Sequence, residues 1–76
     1  MSKLQKLIQR ILEGQDISYK EAETLLLKLG FQLEIRGSHH IFRKSGYTRN
    51  ISIKRRPQLL PYQIADLKEV LRDHGY

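Results

Sequence analysis

The chain has 76 residues, no cysteine, and a formal net charge of +6 at pH 7. A domain this short buries only about 60–65% of its unfolded surface, so its core is small, and without cysteine neither a disulfide framework nor a thiolate zinc site can supplement it. The longest apolar runs, "LLL" at 25–27 and "LLP" at 59–61, are far short of a membrane span, and Lys3, Lys6, Gln9 and Arg10 interrupt any signal-peptide core, so the expected setting is cytoplasmic.

The first segment, "SKLQKLIQRILEG", places Leu4, Leu7, Ile8, Ile11 and Leu12 on one helical face. Ser2 is positioned to cap its start and Gly14 to end it. This amphipathic helix, residues 2–13, has two possible uses. It can add to the core, or it can carry a homodimer.

A second helix follows in "ISYKEAETLLLKLGF". Ser18 and Glu21 make an S-x-x-E capping box, with Ile17 placed to staple onto Ala22. Ala22, Leu25, Leu26 and Leu29 form the stripe expected to be buried. Lys28 sits in the last turn and Gly30 ends the helix.

The period then changes to two. Phe31, Leu33 and Ile35 alternate with Gln32, Glu34 and Arg36, as in a half-buried strand. Gly37-Ser38 is a turn, with Gly37 serving backbone geometry, and "SHHIFRK" is a second strand. "KSG" at 44–46 is another turn. "YTRNISIKR" then reads as a third strand with Tyr47, Arg49, Ile51 and Ile53 on one face. Short connections imply an antiparallel meander. Pro57 stops the last strand. Pro61 opens a final helix whose inward residues are Ile64, Leu67, Val70 and Leu71, and Gly75 ends it.

The order is α-α-β-β-β-α. These elements form one domain over residues 1–76, a two-layer α+β sandwich with helices on one face of a three-stranded antiparallel sheet. The other face is left polar and basic.

The excess charge sits in the middle third of the chain. Residues 31–57 carry Arg36, Arg43, Lys44, Arg49, Lys54, Arg55 and Arg56 against Glu34 alone. A net charge of this size also serves solubility alone, but its clustering favours a polyanion such as nucleic acid. Within this stretch lies "RGSHHIFRK". Neighbouring residues of a strand point to opposite faces, so His39 and His40 cannot easily share a metal ion, and no metal site is expected. If Phe42 packs under the helices, His40 goes with it and His39 stands on the basic face. An isolated histidine is more often structural than catalytic. An exposed one can nevertheless act as general base or acid, because its charge state changes near neutral pH. RNA supplies its own nucleophile in the 2′-hydroxyl. A histidine that removes that proton, beside cations that hold the phosphate, can drive cleavage without a metal or other cofactor.

Taken together, "LLLKLGF", "RGSHHIF", an isoleucine-rich strand and the proline-led "PYQIADLKEVL" resemble the HicA toxin family of toxin–antitoxin systems over residues 17–76. The resemblance implies a double-stranded-RNA-binding-domain-like fold, ribosome-independent endoribonuclease action on mRNA, and an antitoxin partner of the HicB type. The family's histidine follows the Gly-Ser, which is His39 here, with His40 as the reserve because some relatives carry it one position later. The residues expected to hold RNA are Arg36, Ser38, Arg43, Lys44, Arg49, Lys54, Arg55 and Arg56. Two departures stand out. The first helix lies outside the compact core of many relatives, and "RKSG" replaces their His-Pro turn.

Several residues have two readings. Ser38 can bind phosphate or simply occupy its turn. Lys54-Arg55-Arg56 is a phosphate clamp or a solvated run. Tyr47 and Tyr62 are base-stacking platforms or, more simply, core-edge residues. His74 is placed by the helix dipole and carries no expected function. Two rival functions remain, a noncatalytic RNA-binding module of the same fold and a domain docking an acidic protein.

Overall fold

The computed structural model describes residues 2–54 and 57–76. The elements are α1 (Lys3–Leu12), α2 (Tyr19–Lys28), β1 (Gln32–Arg36), β2 (His39–Arg43), β3 (Ile51–Lys54) and α3 (Pro61–Asp73). The three strands form one antiparallel sheet in the order β1-β2-β3. This is the α+β architecture expected from the alternation of periods.

Local chemistry sets the helix ends. Ser2 with Gln5, and Ser18 with Glu21, close reciprocal capping boxes at the starts of α1 and α2. All three helices stop at a glycine with positive φ (Gly14, Gly30, Gly75), after which the chain donates back onto the last turn. After α2, for example, Gly30 N–H reaches Leu27 O and Phe31 N–H reaches Leu26 O, the pair of bonds that satisfies the final carbonyls. Pro61 opens α3 at its first position, where a missing N–H costs nothing. Leu60 has no capping side chain, so Gln63 Oε1 accepts the Leu60 N–H instead, at 2.8 Å.

The core lies between one face of the sheet and the helices. Phe42, Ile51 and Ile53 from the strands meet Ala22, Leu25 and Leu26 of α2 and Ile64, Leu67, Val70 and Leu71 of α3. Ile17, the residue expected to staple α2, is fully buried. Leu7, Ile8 and Ile11 of α1 belong to the same core, so the apolar face of this helix is occupied within the chain. Arg10 fastens α1 further. Its guanidinium donates to Glu21 Oε2 at 2.6 Å and to Asp16 O at 2.8 Å.

Three expectations need correction. The third strand begins at Ile51 and not at Tyr47, because residues 47–50 leave the ladder to follow α3. There Tyr47 packs edge-on against Phe31 and Arg49 pairs with Glu69. Ile35 shares the inward parity of Leu33 but is 61% exposed. It sits near the end of an edge strand, beyond the cover of the helices. Leu29 closes the α2 stripe only partly buried.

Candidate RNA-binding face and histidine site

The β1–β2 connection positions the site. Arg36 and His39 are direct cross-strand partners, so the loop between them is the two residues Gly37-Ser38. Gly37 has φ +60° and Ser38 does not have positive φ, which identifies a type II′ turn, the form matched to strand twist. His39 therefore enters β2 at the first paired position.

Register then fixes its neighbours. His39 lies opposite Arg36 on one side and Lys54 on the other. Directly opposed residues point to the same face with Cβ atoms about 5 Å apart, so Arg36, His39 and Lys54 form a row across the sheet. The next row on this face is Glu34, Ile41 and Ser52. Glu34 accepts from Arg36 at 2.8 Å and meets Arg43 at 3.5 Å. The hydrogen bond from Arg36 holds the Glu34 carboxyl below its usual range. Lys54 has no acidic partner among the described residues.

The two histidines separate by strand parity. His39 is exposed on this open face. His40 turns the other way and is half-buried, on the same face as Phe42 two residues on. Its Nδ1 lies 2.5 Å from Tyr19 Oη in a hydrogen bond, and the two rings meet edge to face at 5.0 Å. Tyr19 went unremarked in the sequence, although it lies three residues before Ala22 on the buried stripe of α2, where a polar tip needs a partner.

The remaining expected RNA-binding residues are not all brought together. Arg43 is on the open face but four residues from His39, about 13 Å along the strand. Lys44 donates to His74 Nε2 at 2.9 Å, next to the C-terminal end of α3. Arg49 bonds Glu69 on α3 at 2.5 Å, which raises its pKa. Ser38 is exposed in the turn beside His39. Arg55 and Arg56 lie outside the described residues. No group of three or more His, Cys, Asp or Glu suited to a metal ion occurs among the described residues. Nor is any described helix long and apolar enough to cross a membrane.

At the open end of the row, the first turn of α3 reaches the sheet. His39, Ser52 and Lys54 together with Tyr62 and Gln63 line a cleft of about 270 Å³. Tyr62 and Tyr47 thus have different positions. Tyr47 is a core-edge residue whose hydroxyl donates to Asp73 at 2.7 Å, whereas Tyr62 is 64% exposed.

A small antiparallel sheet backed by helices, with one open face that carries Arg36, His39, Arg43 and Lys54, defines a compact α+β domain. Comparison with known families is more specific. Residues 19–76 match the model of the HicA toxin of bacterial toxin–antitoxin systems. The chain belongs to this family, and so to a two-component system in which a toxin is paired with an antitoxin. The match begins at Tyr19, leaving α1 outside it. No curated protein and no solved structure matches the chain.

Proposed function

We propose that this toxin is an endoribonuclease that cleaves mRNA, with His39 as its general base. The observation that carries the reading is the row Arg36–His39–Lys54, an exposed imidazole between two cations on the open face of the sheet. An RNA backbone laid along this face would bring a phosphate between the cations. His39 takes the proton of the adjacent 2′-hydroxyl. The 2′-oxygen then attacks phosphorus in line, the bond to the 5′-oxygen breaks, and the departing oxygen takes a proton from solvent. The products are a 2′,3′-cyclic phosphate and a 5′-hydroxyl. Lys54, without an acidic partner among the described residues, stabilises the negative charge that builds on the phosphoryl oxygens, and Arg36 joins it by exchanging Glu34 for the phosphate. His40, committed to Tyr19, has a structural role. The toxin acts on mRNA in the cytoplasm, and its antitoxin, of the HicB type, inhibits by covering this face with an acidic surface.

The test is cleavage of a labelled single-stranded RNA in EDTA by wild type, His39→Ala and His40→Ala, with urea unfolding of each. His39→Ala should cut about 10²–10⁴-fold more slowly while binding RNA and unfolding near the wild-type midpoint. His40→Ala should lose about 1–3 kcal/mol of stability while its folded fraction still cuts. The reverse pattern would transfer the chemistry to His40. Intact RNA in every lane, with salt-sensitive binding, would leave a noncatalytic RNA-binding module.

A further inference from the structure

The cleft beside His39 pairs groups that can donate to a phosphate with an exposed aromatic ring, which a phosphate does not need. Its floor is His39, Ser52 and Lys54, its wall is Tyr62 and Gln63, and no carboxylate lines it. At about 270 Å³ it is smaller than the roughly 300–1,000 Å³ of a drug-sized pocket, and suits a single planar group. Tyr62 stands at its rim with most of its ring in solvent. Tyr19 and Tyr47 use their hydroxyls on His40 and Asp73, but Tyr62 has no hydrogen-bond partner among the described residues. A lone exposed tyrosine is ordinary on a protein surface. Here it walls the cleft that holds the candidate base.

Gln63 adds a directional element. It is 6% exposed, the one buried described residue whose side chain is not a hydrophobic one. A backbone N–H can only donate, so the bond from Leu60 forces the amide oxygen toward the chain and turns the NH₂ group away. Among the described residues no fully buried side-chain nitrogen or oxygen lacks a partner, so this unpartnered NH₂ is not fully enclosed and keeps some contact with solvent. It presents two fixed donors with no partner among the described residues.

We infer that this cleft is a nucleobase subsite for the nucleotide next to the scissile phosphate. The base stacks on Tyr62, its phosphate meets Lys54, and the Gln63 NH₂ donates to a carbonyl or ring-nitrogen acceptor on the base edge. The inference rests on the reading of this face as an RNA site and adds to it a platform and a selector. Stacking is tolerant of base identity, because every base has a π face, whereas the fixed donors favour bases with an acceptor at the matching edge.

The test uses a short 2′-O-methyl RNA, which cannot be cleaved, followed by fluorescence anisotropy. One abasic residue is moved along the strand and offered to wild type, Tyr62→Phe and Tyr62→Ala. Tyr62→Ala should weaken binding about 5- to 150-fold, the range for one lost stack, and Tyr62→Phe should stay within about threefold of wild type. At one position the abasic residue should weaken wild type by a similar factor and leave Tyr62→Ala unchanged. Independent penalties at every position, or wild-type affinity in Tyr62→Ala, would overturn the subsite. Gln63→Glu keeps an oxygen for the Leu60 N–H but removes the donors. It should alter which base flanks the cut when cleavage ends are sequenced, and an unaltered preference would remove the selector role. Binding is read without chemistry, so a wild type that cuts nothing would defeat the endonuclease reading while the anisotropy cycle still decides the subsite.

Discussion

Ile11 gives the sharpest test of what α1 does. The family match starts at Tyr19, yet Ile11 is 0% exposed and sits in the core with residues of α2 and α3. Replacing it with alanine removes three carbons. At about 0.8 kcal/mol per buried methylene the transfer term is roughly 2.4 kcal/mol. An unfilled cavity adds to this, which places Ile11→Ala in the range of about 2.5–4.5 kcal/mol. A 76-residue domain has a total stability of about 4–11 kcal/mol at typical per-residue values. The substitution therefore removes a large fraction of the stability, and shifts the melting midpoint by about 4–8 °C for each kcal/mol lost. Ile11→Val, one methylene smaller, should cost only about 0.5–1.5 kcal/mol. Urea unfolding followed by circular dichroism measures both. A single transition with the two variants in this order would mean that α1 and the family-matched residues fold as one cooperative domain. A loss below about 1 kcal/mol in Ile11→Ala, or a separate early transition, would refute the docking of α1 into the shared core.

Two more outcomes are expected. Burial, followed by the hydrogen bond to Asp73, pushes Tyr47 up to about 12 from its ordinary value near 10. Its folded pKa is raised, so the stabilisation is full below pH 10 and is lost as pH rises toward 12. The urea midpoint of wild type should fall more steeply over that window than that of Tyr47→Phe, and parallel curves would contradict the assignment. On RNA, Lys54→Gln should weaken binding and lower the slope of log affinity against log salt by about 0.7, the value for one lost single-strand phosphate contact. Arg49→Gln, which removes a residue already bonded to Glu69, should leave that slope unchanged. Equal effects from the two would show that position on the sheet does not matter.

Much of the fold can be read from local chemistry. Capping boxes, terminal glycines and a change from period 3.6 to period 2 are properties of neighbouring residues, and they place α1, α2, β1, β2 and α3 close to their observed ends. The parity of β2 is also local. Phe42 is the larger apolar group, it goes inward, and His39 is thereby turned outward. Errors arose where a distant partner competes with the local pattern. Tyr47 and Arg49 alternate like strand residues, but α3 offers Asp73 and Glu69, and the chain follows those contacts and leaves the ladder. Ile35 alternates correctly and is still exposed, because parity says which face a residue takes and not how far the helices extend over it.

The candidate site divides in the same way. The sequence by itself determined that a histidine follows a tight turn in the most basic third of the chain, since composition and turn chemistry need no distant partner. Only the tertiary structure decided which cations accompany it. Strand register, a pairing between residues 15 apart, sets Lys54 beside His39, while contacts with α3 draw Lys44 and Arg49 away. The cleft, too, exists only once the first turn of α3 is folded against the sheet, bringing Tyr62 and Gln63 within reach of His39.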